Sequence, residues 1–307
     1  MSVDFNKKIY GYNDLFNFFI KLDGEERIPN KFILSGNKGI GKSTFAYHLI
    51  NYLLSKNEKD KYDITNYKIN DENRSYRLIK NLSHPNFFLI DVDDGKQQIS
   101  IDKIRKSFDF INKSSMNNDF RIILIDNAEY LNQSSGNALL KVIEEPNEKL
   151  IFILVHDISC KLLDTIKSRC ILFKKAFSCE EKISIFEKVV NQNFSNIFKN
   201  NFLFKFMSIG ELIYLKKFSE ECKLKEKIDN KNILNIYLKD KYNKDNKRIQ
   251  KIMLKLMQIY LYQKNMNSFS EKNFMWYNSF FKKVTEAKIY NLDIGNLYFE
   301  FQKKMNE

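Results

Sequence analysis

Only three prolines and nine glycines punctuate 307 residues. That is too few for long flexible linkers, so packed helices are favoured over loop-rich architectures. Cysteine is as scarce. Cys160, Cys170, Cys179 and Cys222 show neither C-x-x-C spacing nor the density of a small secreted scaffold, which excludes a disulfide framework and leaves reduced thiols used for packing. No apolar run reaches the ~20 residues of a membrane span, and the opening MSVDFNKKIYGYND lacks the apolar core of a signal peptide. A cytoplasmic protein without membrane contact is expected.

Hydrophobic residues make up 43% and charged residues 29% of the chain, a globular composition that argues against wholesale disorder. The length exceeds one minimal core and implies two or three domains. A formal charge of +13 points to an acidic partner, with nucleic acid the leading class. Lys and Asn are abundant throughout, so charge by itself does not single out that partner. No recognition helix or zinc finger is present to read bases, which leaves contacts to the DNA backbone.

Strand and helix signals alternate in the first half. KFILSGNKGIGKSTFAYHLINYLL (31–54) reads as a short buried strand, a glycine-rich turn and a helix with Phe45, Leu49 and Leu53 at helical spacing. Residues 55–80 are polar and read as an insertion with partial helix. FFLIDV (87–92), RIILID (121–126) and KLIFILVH (149–156) are strand candidates; IDKIRKSFDFIN (101–112) and SGNALLKVIEE (135–145) are helix candidates. This order predicts an α/β fold with a parallel sheet and a site at the carboxyl ends of the strands. From 180 onward the pattern is helical. Ile249, Ile252, Leu256 and Tyr260 share one face, and Phe274, Tyr277, Phe281 and Val284 repeat the spacing; both stripes are assigned to the core. The Lys/Asn-rich stretch 239–248 reads as a solvated connection.

GNKGIGKS satisfies the phosphate-loop pattern G-x-x-x-x-G-K-[ST] between strand and helix. Gly36, Asn37, Lys38, Gly39, Ile40 and Gly41 would curl so that backbone N–H groups point at phosphate oxygens, followed by Lys42, Ser43 and Thr44 at the positive end of a helix. Lys42 would reach the β- and γ-phosphates of ATP. Ser43 would ligate Mg2+, and Asp126, ending a neighbouring strand, would hold the same ion through water. In hydrolysing relatives of this architecture the residue after that acid is often a glutamate that activates water. Here it is Asn127, an amide that cannot accept a proton near neutral pH. Glu129 could substitute only if the backbone turned sharply. Binding of ATP with weak or absent hydrolysis is expected.

RIILIDNAEYLNQSSGNALLKVIEEP followed by LLDTIKSRC resembles the clamp-loader branch of the AAA+ ATPases, most closely the delta-prime family of bacterial DNA polymerase III. HPNFFLID, ISIDKIRKSFDFI and TEAKIYNLDIGNLYFEF, with its Asn291-Leu292-Asp293, are similar to segments of the same family. The likeness is strongest at 33–54 and 84–172 and thin at 175–280. It implies a RecA-like P-loop (AAA+) domain over 1–174, a small helical lid over 175–217 and an all-α collar, the oligomerisation domain, over 218–307. It also implies a hetero-pentameric ring with gamma/tau motor and delta subunits, which opens the sliding clamp and closes it around primed DNA. By this resemblance Ser168 and Arg169 belong to the SRC motif, whose arginine acts in trans at a neighbour's ATP, an effect worth ~10³–10⁵ in rate. The other reading of Arg169 is a surface arginine paired with a local acid.

Two departures from the family are visible. Many relatives carry a four-cysteine zinc module after the P-loop, but no cysteine precedes Cys160, so no zinc site is expected. In the stretch FMSIGELIYL (206–215), Glu211 stands where active loaders place an arginine that senses the γ-phosphate, and a carboxylate there would repel triphosphate. Glu144 and Glu145 of IEEP end a helix and are read as structural or ring-contacting. An independently active P-loop enzyme, a nucleotide kinase or DNA-remodelling ATPase, is the competing class.

Overall fold

Buried-strand composition is the first determinant of the architecture. In the computed structural model, which describes residues 5–93, 96, 98–112, 120–144, 149–224, 226–239, 246–290, 292 and 295–306, the apolar runs form a five-stranded sheet. Its strands are β1 (Lys31–Gly36), β2 (Phe87–Ile90), β3 (Arg121–Ile125), β4 (Leu150–Asp157) and β5 (Ile171–Lys174). Their order is β2-β3-β4-β1-β5, and every pairing is parallel, with Ile33 beside Leu154 and Ile123 beside Phe152. Parallel strands covered on both faces need no polar alternation. Accordingly Ile122, Ile123, Leu124 and Ile125 are all fully buried.

Helices α1 (Asn13–Gly24), α2 (Lys42–Leu54), α3 (Arg74–Lys80), α4 (Ile101–Asn112), α5 (Gln133–Ile143) and the short α6 (Asp164–Lys167) accompany the sheet. Local chemistry sets several of their ends. Asn132 and Ser135 form a reciprocal capping box at the start of α5, which satisfies two of the helix's orphan donors. Asn73 caps α3 and also takes the Asn51 amide at 2.9 Å. The polar 55–80 segment is therefore tied down, with Glu58 accepting the Arg74 and Ser75 N–H groups. Helix α1 and the edge strand β5 go beyond the elements assigned from sequence. The first is held by buried Phe16 and Phe19; the second is only four residues long and largely exposed.

The chain divides into two compact units, 1–181 and 182–307, with the division inside α7 (Cys179–Val190). The second unit is helical: α8 (Phe194–Ile197), α9 (Phe202–Phe206), α10 (Ile209–Glu221), α11 (Asn230–Lys239), α12 (Lys247–Asn267), α13 (Glu271–Tyr290) and α14 (Gly295–Asn306) follow. Phe186, Phe198 and Phe204 pack edge to face near its beginning. Further on, Phe301 receives Tyr260, Trp276 and Phe280. Ile249, Ile252 and Leu256 are buried as expected, whereas the stripe assigned to α13 needs correction. Its buried face is Trp276, Phe280, Val284 and Ala287, while Phe274 and Phe281 are exposed at 46% and 43%. Aromatic residues occupy several faces of that helix, so spacing alone does not choose among them. Residues 240–245 of the expected connection, together with Asn291, Asp293 and Glu145, lie outside the described residues. No helix among the described residues is long and apolar enough to cross a membrane.

Candidate functional site

The glycine-rich turn sits between β1, an interior strand flanked by β4 and β5, and the start of α2. Gly36 is required by space: a Cβ there would lie 2.3 Å from the Lys175 carbonyl oxygen. Gly41 is required by conformation, with φ of 92° at the entry to α2, a region that side chains with a Cβ disfavour. Tyr12, buried against Phe45, donates its hydroxyl to the Ile40 carbonyl at 3.3 Å. Lys175 lies over the rings of Tyr12 and Phe177 at 5.9 and 4.8 Å. These supports draw on both ends of the first unit. A reading confined to the motif passes over them.

Lys42 is almost fully buried. Its Nζ donates to the carbonyls of Gly36 and Asn37, both at 2.7 Å, so the ammonium is held against the glycine-rich loop. Burial pushes its pKa down from the ordinary lysine value, opposed by the nearby carboxylates of Asp157, Glu129 and Asp126. The next residue, Ser43, donates its hydroxyl to Asp126 Oδ1 at 2.9 Å. The two expected magnesium-binding oxygens, 83 residues apart in sequence, are thus already in contact. Asp126 Oδ1 also accepts the Asn127 N–H at 2.9 Å. Its carboxyl is raised to about 6, first by burial and then by the charge of Asp91. Hard oxygen donors beside a glycine loop and a buried lysine suit Mg2+ and a phosphate chain.

The amide of Asn127 is not turned loose toward this site. Its Nδ2 donates to Asp91 Oδ1 at 2.8 Å, tying the end of β3 to the residue after β2. Asp91 stands at the end of FFLID as Asp126 stands at the end of RIILID. The shared strand-end pattern is legible in the sequence, whereas the partnership of Asp91 with Asn127 is not. Asn127 has φ of 55° and begins a 3-10 turn over Ala128–Tyr130, and this sharp turn brings Glu129 back to the site. Glu129 Oε2 accepts the Asp157 N–H at 3.0 Å, and its charge is felt at Lys42. Lys38 lies over the Tyr130 ring at 5.9 Å. Among the residues considered from sequence, the structure therefore gathers the loop, Lys42, Ser43, Asp126 and, through the turn at Asn127, Glu129, and it adds Tyr12 and Asp91.

Arg169 stands apart from the loop, just beyond α6. Its Nε donates to Glu144 Oε1 at 2.7 Å, and Nη1 donates to the Thr165 carbonyl and Ser168 Oγ at 3.0 and 3.3 Å. The side chain remains 41% exposed. Glu211 has partners within the second unit: it forms a capping box with Ser208 at the start of α10 and accepts Lys255 at 2.8 Å.

A family model described as DNA polymerase III, delta subunit, matches residues 12–177, more than half of the chain. The chain belongs to this family. Among curated relatives it is similar to the DNA polymerase III delta-prime subunit of Pseudomonas aeruginosa, at 28% identity over 151 residues that cover 49% of this chain and 44% of the relative. It is also similar to the gamma subunit of Buchnera aphidicola from Acyrthosiphon pisum, at 34% identity over 164 residues, 53% of this chain and 43% of the relative. The matches span less than half the length of these relatives. Among solved structures, a gamma subunit-related protein of Thermotoga maritima is 16% identical, with coverage of 93% and 98% and a TM-score of 0.45. The family is the delta-prime group that the segments on either side of Asp126 resemble, and the first unit carries its P-loop motif on a five-stranded parallel sheet.

Proposed function

We propose that the chain is a delta-prime-like subunit of a DNA polymerase III clamp loader that binds ATP with Mg2+, hydrolyses it poorly, and lends Arg169 to a neighbouring subunit. One observation carries the nucleotide part: Ser43 and Asp126 are already joined beside Lys42, while the following residue is an amide engaged by Asp91. The loop N–H groups and Lys42 would hold the phosphates, and Ser43 and Asp126 the ion. Bound Mg2+ would supply charge neutralisation to the phosphate chain. Asp126 would lose its raised pKa beside such a cation, and Lys42 would exchange its loop carbonyls for phosphate oxygens. No carboxylate at position 127 is available to take a proton from water.

In this reading 175–217 serves as the lid and 218–307 as the collar of a hetero-pentameric ring with gamma/tau and delta subunits, acting on the sliding clamp and on primed DNA through backbone contacts. The purified chain should bind a fluorescent ATP analogue with Mg2+, lose that binding in Lys42→Ala, and show negligible phosphate release. Rapid turnover abolished by Lys42→Ala would overturn it. In the reconstituted complex, Arg169→Ala should leave assembly intact and slow ATPase; unchanged ATPase would remove the role in trans.

Glu129 favours a second reading, an independently active P-loop ATPase in DNA metabolism, because the turn at Asn127 returns a carboxylate to the site. That reading requires turnover by the isolated chain that Glu129→Gln abolishes.

A further inference from the structure

A guanidinium has five N–H donors in a fixed fork, and those of Arg169 divide unevenly. The single N–H of Nε is taken by Glu144. The two on Nη1 go to the Thr165 carbonyl and Ser168 Oγ. The two on Nη2 have no partner among the described residues. Both anchors belong to elements packed on one another. Glu144 closes α5, with its N–H on the Leu140 carbonyl, and Thr165 lies in α6. Gly136 of α5 admits Leu163 so closely that an added Cβ would meet its Cδ1 at 2.1 Å. The guanidinium is thus held at Nε and Nη1, while Nη2, on a half-exposed side chain, is left with two diverging donors.

We propose that Glu144 is a positioning residue for Arg169, holding the guanidinium so that its Nη2 edge presents two donors to the phosphate oxygens of a neighbouring subunit's nucleotide. This rests on the reading above that Arg169 acts in trans. An ordinary exposed ion pair is worth little and moves nothing when removed; a positioning pair acts on rate, because misplacing a charged donor costs transition-state stabilisation more than substrate binding. Glutamine retains an oxygen that accepts from Nε, so the acceptor and not the charge is what the role needs.

The test is ATPase of the reconstituted complex, carrying the full chain with Glu144→Ala, Glu144→Gln, Arg169→Ala or the Ala/Ala double change. Glu144→Ala should lower kcat by about tenfold with KM for ATP and assembly unchanged, Glu144→Gln should retain most of the rate, and the double variant should match Arg169→Ala alone. If Arg169→Ala slows the complex but Glu144→Ala leaves or raises its rate, or if the two losses add, positioning is refuted while the role in trans stands. If neither change slows it, the role in trans falls as well.

Discussion

In the variant Asp126→Asn the side chain keeps an oxygen for the Ser43 hydroxyl and the Asn127 N–H but loses its charge. The parent carboxyl is raised from 3.8 to about 6 by burial and by Asp91, so the folded chain binds this proton more tightly than the unfolded one. Between those two values stability falls as pH rises, and above pH 6 the whole penalty is present. A shift of that size corresponds to about 3 kcal/mol at pH 7 and roughly 0.5 kcal/mol at pH 4. Discounted for residual solvent screening, about 2 kcal/mol should be recovered by asparagine at pH 7. At ~2–4 °C per kcal/mol for a unit of this size, Tm should rise by roughly 4–8 °C at pH 7 and by less than about 2 °C at pH 4.

The assay is thermal unfolding followed by circular dichroism, without nucleotide or Mg2+, since a bound cation would favour the carboxylate and reverse the sign. Parent and variant are compared at each pH, because other groups titrate in the same window and cancel only in the difference. A variant less stable than the parent at pH 7, or a gain of equal size at pH 4 and pH 7, would refute the argument.

His48 supplies the opposing pH dependence. Its two ring nitrogens meet the Tyr62 hydroxyl and the Asn6 carbonyl at 2.7 and 2.8 Å, and burial pushes its pKa from 6.5 to about 4. The unfolded chain therefore takes the proton first as pH falls, and this group alone should cost about 2 kcal/mol of stability between pH 7.5 and 5; urea unfolding of parent and His48→Gln compared at each pH should show their difference changing by that amount across the window. Gly36→Ala drives a Cβ into the Lys175 backbone carbonyl and should cost about 1–3 kcal/mol or more. Gly136→Ala meets only the tip of Leu163, and the helix gains ~1 kcal/mol from alanine, so its urea midpoint should shift less than that of Gly36→Ala. Equal shifts would contradict the distinction between a backbone and a side-chain obstacle.

The amino-acid sequence by itself determined whatever depends on neighbours along the chain. Continuous apolar runs such as RIILID form buried parallel strands because both faces are covered. GNKGIGKS forms a phosphate loop because its glycines and the following helix act within eight residues. Asn132 and Ser135 fix the start of α5 three residues apart. Tertiary structure alone decided the pairings between separate elements: Asn127 with Asp91, Gly36 with the Lys175 carbonyl, Tyr12 with the Ile40 carbonyl, and Arg169 with Glu144. Strand order and helix packing bring these groups together, and nothing in their local spacing encodes it. It also chose which face of α13 is buried, since an aromatic-rich helix presents several apolar stripes and only the partners packed against it select one.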